Sequence, residues 1–290
     1  MSAPDGIFVG LSTIDIVYAV DQFPAANSKV AARSQDVFAG GPATNASIAF
    51  AHLGGKATLV TTVGRHPLAS LIRDELQRYS IRLVDLNPDF DEVPVISSIS
   101  VSRSAERSVT SANAARVNEV PVKVDVGVLK EASVVLVDGH YMQACQAWAR
   151  AARAHGKPVV LDGGSWKHGT PELLRSVDTA ICSADFLPPG CSTGDDVIRY
   201  LKERGVPNIA ITNGAEPIRF LSNGSSGMVK VPQVSVVDTM GAGDIFHGAF
   251  CYHLAMGREF VEALDAAGRV ATESCRFRGP REWMRPSESQ

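Results

Sequence analysis

Val237-Asp238-Thr239-Met240-Gly241-Ala242-Gly243-Asp244-Ile245-Phe246 is the stretch that decides the reading of this chain. A valine-rich run ends there and two glycines follow. Ile245, Phe246, Ala249, Phe250 and His253 then share one helical face, and Gly257 supplies a stop. The stretch reads as a loop turning into the N-terminus of an amphipathic helix. Amides of a first helical turn have no acceptor within the helix, so such a start suits an anion. Gly241 and Gly243 let the backbone approach a ligand closely. Asp244 stands among these amides. The helix dipole alone is a plain explanation for a first-turn carboxylate, but it requires neither glycine. A base beside a phosphate-sized anion hole instead suits transfer of a phosphoryl group to a hydroxyl.

The residues around this stretch set its context. Toward the N-terminus, Val134–Val137, Val159–Leu161, Ala180–Cys182 and Ile209–Thr212 are short apolar runs that read as buried strands. Helical patterns alternate with them at 143–155, 171–176 and 197–204. A further helix follows with Val261, Leu264, Gly268 and Ala271 in register. This rhythm predicts an α/β fold with a mostly parallel sheet covered on both faces. In the first half, Ile7–Val9 and Leu59–Val63 read as core strands. Gly41-Pro42 opens a helix stopped by Gly54-Gly55, and another runs from Pro67 to Tyr79. Two segments break the rhythm, near 14–38 and 93–111. They are rich in Val, Ile, Ser and Thr, the second has a turn near Ser104-Ala105, and together they predict a small separate sheet. The whole of 1–290 is expected to form one domain. The tail from Arg285 is polar and expected to fray.

Bulk properties exclude several classes. The net charge is −3, with 28 Lys and Arg against 31 Asp and Glu, so no nucleic-acid partner is expected. No run of about 18 apolar residues exists and the N-terminus lacks a leader pattern, so no membrane partner is expected. Cys145, Cys182, Cys191, Cys251 and Cys275 are scattered and read as reduced thiols of a cytoplasmic protein. A P-loop and a G-x-G-x-x-G fingerprint are both absent.

Other positions carry chemistry alongside plainer readings. In Gly40-Gly41-Pro42-Ala43-Thr44-Asn45, the glycines would let a ligand hydroxyl reach backbone amides, with Asn45 adding a side-chain donor and acceptor; the plainer reading is a loop. Asp15 lies beyond a strand end, on the edge where open α/β sheets bind ligands. Arg107 would reach over a cleft to neutralise phosphate, or be solvated at its turn. Thr212 and Gly214 follow a strand where a nucleotide would lie close, or form an ordinary turn.

Placed in order, these motifs resemble the ribokinase-like (PfkB) family of carbohydrate kinases across nearly the whole chain. Asp238 to Asp244 is similar to its D-T-x-G-A-G-D signature, and Gly10, Asp15, Pro24, Gly40-Gly41, Asn45 and Leu53-Gly54 follow its N-terminal pattern. Within the family the spacing is most similar to ketohexokinase (fructokinase) and to bacterial sugar kinases. The resemblance implies a ribokinase-like three-layer core with a small β-sheet lid. It implies ATP as donor, Mg²⁺ as its partner and a sugar hydroxyl as acceptor, with a monovalent cation left open. It makes Asp244 the base and Gly241, Ala242 and Gly243 the anion hole. Asp15, Gly41 and Asn45 would hold sugar hydroxyls, Arg107 the lid position, and Thr212, Gly214, Asp238 and Thr239 the nucleotide side. Asn27 stands where ketohexokinase-like enzymes carry a sugar-binding Asp, and Lys29 would meet an anionic substituent on the sugar or be a plain solvated lysine. The N-x-x-E motif that helps organise Mg²⁺ is replaced by Ser183-Ala184-Asp185-Phe186, and Asp162 is the alternative carboxylate. The expected reaction is phosphorylation of a primary hydroxyl of a ketohexose or pentose. A nucleoside kinase and a non-catalytic sugar or nucleotide sensor are the alternatives. Exposed lid strands predict a homodimer through the lid.

Overall fold

Alternation along the buried strands determines the layers. Ile7 and Val9 pack into one apolar cluster while Phe8, between them, packs into a second on the opposite face. Val135 and Val137 oppose Val134 and Leu136 in the same way, as do Val159 and Leu161 against Val160. Strands buried on both faces need helices on both sides. The computed structural model describes residues 3–104, 106–112 and 122–285, and it has this arrangement.

In chain order the elements are β1 (Asp5–Val9), β2 (Thr13–Ala19), β3 (Ser34–Gly40), α1 (Pro42–His52), β4 (Lys56–Thr61), α2 (Ala69–Arg78) and β5 (Arg82–Asp85). Then come β6 (Ile96–Val101), β7 (Arg107–Ser111), α3 (Val126–Glu131), β8 (Val134–Val137), α4 (Met142–Ala154), β9 (Val159–Gly163) and α5 (Thr170–Leu174). The chain continues through β10 (Thr179–Ser183), α6 (Gly194–Glu203), β11 (Asn208–Thr212), β12 (Ile218–Ser222), β13 (Ser225–Val229), α7 (Ala242–Ala255) and α8 (Phe260–Ser274). The large sheet has the order β13-β12-β11-β10-β9-β8-β1-β4-β5. From β11 to β5 every pairing is parallel, and β12 and β13 add an antiparallel hairpin at one edge. Helices α3 to α6 contribute to one apolar cluster and α1, α2, α7 and α8 to the other.

Strand order reverses between β1 and β8. From β1 the chain builds outward through β4 and β5, and from β8 it builds the other way through β9, β10 and β11. Open α/β sheets bind ligands beyond the strand carboxyl ends at such a switch point. Asp138, just past β8, braces it from a buried position. Its Oδ2 accepts from Leu11 N at 2.8 Å and Ala43 N at 3.3 Å, and its Oδ1 from His140 N at 2.9 Å. A side chain at Gly10 would collide with this carboxylate.

The two irregular segments form a second sheet, β3-β2-β6-β7. Val17, Ile99 and Met240 pack together, with Phe38 and Val101 against them. Met240 belongs to the signature stretch, so the smaller sheet rests directly on the loop that opens α7. The valine-rich run before that loop is irregular. The helix expected from Pro67 starts at Ala69. Ala105, of the expected turn, and residues 286–290, of the expected frayed tail, lie outside the described residues.

Candidate active site

Helix α7 begins at Ala242 with Gly241 as its N-cap, at φ 71°. That left-handed conformation is why glycine stands there. Ala242 N turns back to Thr239 O at 3.2 Å, so this one of the three amides expected in the anion hole is engaged within the turn. Gly243 differs from Gly241. It has no positive φ, and a Cβ built on it meets nothing within 4 Å. Neither the backbone nor protein packing requires a glycine there, which leaves open space for a ligand. Asp238 braces the loop from below: Oδ1 accepts from Met240 N and Oδ2 from Gly279 N, both at 2.9 Å. The carboxylate expected on the nucleotide side is therefore tied to backbone amides.

Asp244 lies one residue beyond Gly243. Asn45, buried in the first turn of α1, donates from Nδ2 to Asp244 Oδ2 at 2.7 Å. This contact joins the two motifs across 199 residues of chain. Burial pushes the Asp244 carboxyl up to about 7, and Asp162 and Asp15 push the same way against the Asn45 hydrogen bond and His247. Asp15, buried on β2, accepts from Thr13 Oγ1 at 2.6 Å. Burial raises its pKa, while the Thr13 and Ser97 hydrogen bonds oppose the rise. The side-chain positions of Gly40 and Gly41 are occupied by protein groups. A Cβ at Gly40 would strike the Asp15 carboxylate, and one at Gly41, at φ 94°, would strike Leu11 O.

Asp162 is the next-to-last residue of β9 and is buried, and its Oδ2 has no hydrogen-bond partner. His247 Nδ1 lies 3.5 Å from that oxygen, 2.7 Å from Gly243 O, and on the same ring Nε2 lies 3.2 Å from Ile181 O. Burial raises the Asp162 carboxyl, with His247 opposing and Asp138 adding to the rise. Among the described residues no group of three or more His, Cys, Asp or Glu is placed to cage a metal ion. The stretch replacing N-x-x-E offers no carboxylate inward: Asp185 is exposed and Phe186 is in the core.

On the other side of Gly243 lies a cavity of about 210 Å³. Thr212, Gly214 and Thr239 line it with apolar Val231, Phe246 and Ala271. The structure thus places Gly243 between an apolar cavity and a carboxylate cluster of Asp15, Asp162 and Asp244. Arg107 is exposed on β7, but its guanidinium is among the groups that oppose the rise burial causes in the Cys275 thiol on the cavity wall. Asn27 and Lys29 are not brought in. They are exposed on the loop after β2, at the opposite end of the β2–β3 hairpin from Thr13 and Gly40. Two residues absent from the sequence reading belong here. Asp138 had an available signal, a carboxylate just past a buried strand. Arg281, which donates from Nη2 to Asn45 Oδ1 at 2.8 Å, had none.

Comparison with known proteins identifies the family. The family model for pfkB family carbohydrate kinase matches residues 5–286. The chain is 26% identical to the ribokinase of Bacillus subtilis over 286 residues, covering 93% of this chain and 92% of that protein. It is 27% identical to the aminoimidazole riboside kinase of Salmonella typhimurium over 254 residues, covering 81% and 80%. The structure of Arabidopsis thaliana ribokinase complexed with ribose and ATP matches with a TM-score of 0.79 at 22% identity, over 96% of this chain and 94% of that one.

Proposed function

The chain belongs to the pfkB family of carbohydrate kinases, and from that premise we propose that it transfers the γ-phosphoryl group of ATP to a primary hydroxyl of a small sugar, with Asp244 as general base. The observation that carries this reading is Gly243, open to solvent between an apolar cavity and the half-buried Asp244 carboxyl, whose pKa is raised to about 7. ATP would place its base in the cavity by Thr212 and Gly214 and its phosphates over Gly241–Gly243. The sugar would lie under the smaller sheet, acting as a lid, against Asp15, Gly41 and Asn45. Arg107 would approach the phosphates from the lid. Asn27 and Lys29 would reach the sugar only on closure. Positioning and charge stabilisation would do most of the work, since phosphoryl transfer leaves little covalent chemistry to the protein.

The acceptor is taken to be of the pentose or ketohexose class, and the ribokinase relative favours a pentose. The riboside kinase relative supports a second reading, a nucleoside acceptor. Among the described residues no helix is long and apolar enough to cross a membrane. A cytoplasmic homodimer joined through the lid edges is the assembly we favour.

Mg²⁺ is implied by the family, and Asp162 fits it in part. Its Oδ2, which accepts no hydrogen bond, would be an oxygen ligand at a site where phosphates would supply others, which is how Mg²⁺ is usually held. When bound, the ion would neutralise charge on the phosphate oxygens. Asp162→Asn is expected to raise the Mg²⁺ concentration for half-maximal rate by about tenfold or more, read from a magnesium titration at saturating ATP. An unchanged titration would remove Asp162 from that role.

ADP release measured over a panel of pentoses, ketohexoses and ribosides tests the whole reading. Turnover with at least one acceptor is expected. ATP binding without turnover on any of them would instead favour a sensor. With the active acceptor, kcat/KM should rise with pH through about 7, because the base works only when ionised. A flat profile between pH 5.5 and 8 would remove Asp244 as the titrating base.

A further inference from the structure

The base is held by a chain of contacts that runs away from the cavity. Asn45 donates to Asp244 and accepts from Arg281. Arg281 is itself fixed: Nε donates to Glu75 Oε1 at 2.7 Å, Nη2 also to Ala39 O at 2.7 Å, and Nη1 to Pro280 O at 3.2 Å. Glu75 Oε2 accepts from Ala39 N at 2.6 Å. The Arg281 and Glu75 side chains are each 9% exposed. The partners come from α1, α2, the end of β3 and the segment after α8.

The donor inventory fixes what this chain can do. A guanidinium has donors and no acceptor, whereas a carboxamide has one oxygen and one NH₂. Arg281 can therefore face only the oxygen of Asn45, and the NH₂ is forced toward Asp244. Turned round, the amide would set NH₂ against guanidinium and oxygen against carboxylate. We propose that Arg281, anchored by Glu75, is a positioning residue for the base: it locks the Asn45 amide in the one orientation that donates to Asp244 Oδ2, leaving Oδ1 for the acceptor hydroxyl. This rests on the reading of Asp244 as the base.

The groups facing Asp244 are Asp162 from β9, Asp15 from β2, His247 from its own helix and Asn45 from α1. Arg281 stands behind Asn45 and also opposes the rise at Asp15. Freeing the amide removes a hydrogen bond that favours the ionised form, so the proton is held more tightly and the acidic limb moves to higher pH.

The test uses Arg281→Met, Arg281→Lys and the double variant Glu75→Gln/Arg281→Met, each checked by thermal unfolding and ATP affinity. In the folded variants lacking the guanidinium, the acidic limb of kcat/KM should rise by about one pH unit. The loss at pH 6 would then be about tenfold and at pH 9 less than about threefold. Arg281→Lys keeps a charge without the planar fork and should fall between. A loss equal at every pH, or a profile that stays in place, overturns the proposal. Should Arg281→Met unfold because Glu75 is left buried and unpaired, the double variant decides. Failure of all three to fold assigns the pair to the fold alone and also overturns it. Asp244→Asn separates the two claims. If it retains turnover, the base reading fails; if it loses turnover while the Arg281 variants keep the wild-type profile, only the positioning role fails.

Discussion

Asp244→Asn is expected to lower kcat by about 10²–10⁴ while leaving ATP affinity unchanged, the range typical of a lost general base. The substitution isolates proton acceptance. Asn is nearly the same shape, and its side-chain oxygen can still accept from Asn45 Nδ2, now 2.7 Å from the carboxylate. Removing the charge also relieves repulsion from Asp162 and Asp15, so the fold has no reason to weaken. The apolar cavity that would take the nucleotide base is lined by other residues. Stopped-flow or steady-state rates beside a calorimetric ATP titration check it. Turnover within about threefold of wild type would exclude the base assignment.

The second large effect concerns Gly248 in the middle of α7. By helix propensity alone, Ala there should stabilise by about 0.5–1 kcal/mol. The structure predicts the opposite. A Cβ at Gly248 would land on Ala46 O of α1 and lie 2.9 Å from Ala49 Cβ. A backbone carbonyl cannot move aside without moving its helix. Overpacking of this kind costs about 1–3 kcal/mol, and Gly248→Ala should lower Tm by several degrees. It should also lower kcat, because α1 carries Asn45 and α7 carries Asp244, and separating them stretches their contact. A thermal melt and the rate at saturating substrate check both; a rise in Tm would show that the helices do not approach this closely.

Gly248 also illustrates what was and was not legible. The start of α7, the alternation of strands and helices and the small second sheet are readable from sequence because each has a local signal: glycines at a helix start, period-2 or 3.6 patterns, β-branched runs. The stretch Ile245–Phe250 showed an apolar face but not that one glycine on it is a contact surface. Edge strand β5, Arg-Leu-Val-Asp, is too short and too charged at its ends to announce itself. The β12–β13 hairpin is absent from the sequence expectations although it has a strong signal, Asn223-Gly224 at φ 49° and 83°. Motif spacing marks Asp15, Asn45 and Asp244, and the structure brings these three into one electrostatic neighbourhood. Arg281 is not legible in the sequence, because its partners at Glu75 and Asn45 are 206 and 236 residues away and nothing local marks it. Asn27 and Lys29 stand out only by position in a motif, and the structure leaves them exposed.

Met240 fills the variable place in the signature loop, and it is buried against Val17 and Ile99 of the smaller sheet. One methionine therefore belongs to the packing of both halves of the cleft. On the proposed reading, a shift of the sheet over an acceptor would displace the loop that opens α7, and ordering of that loop by nucleotide would reseat the sheet. Such a shared seam would make occupancy on one side a determinant of affinity on the other, and by thermodynamic reciprocity the enhancement each ligand conferred on its neighbour would have a single common magnitude.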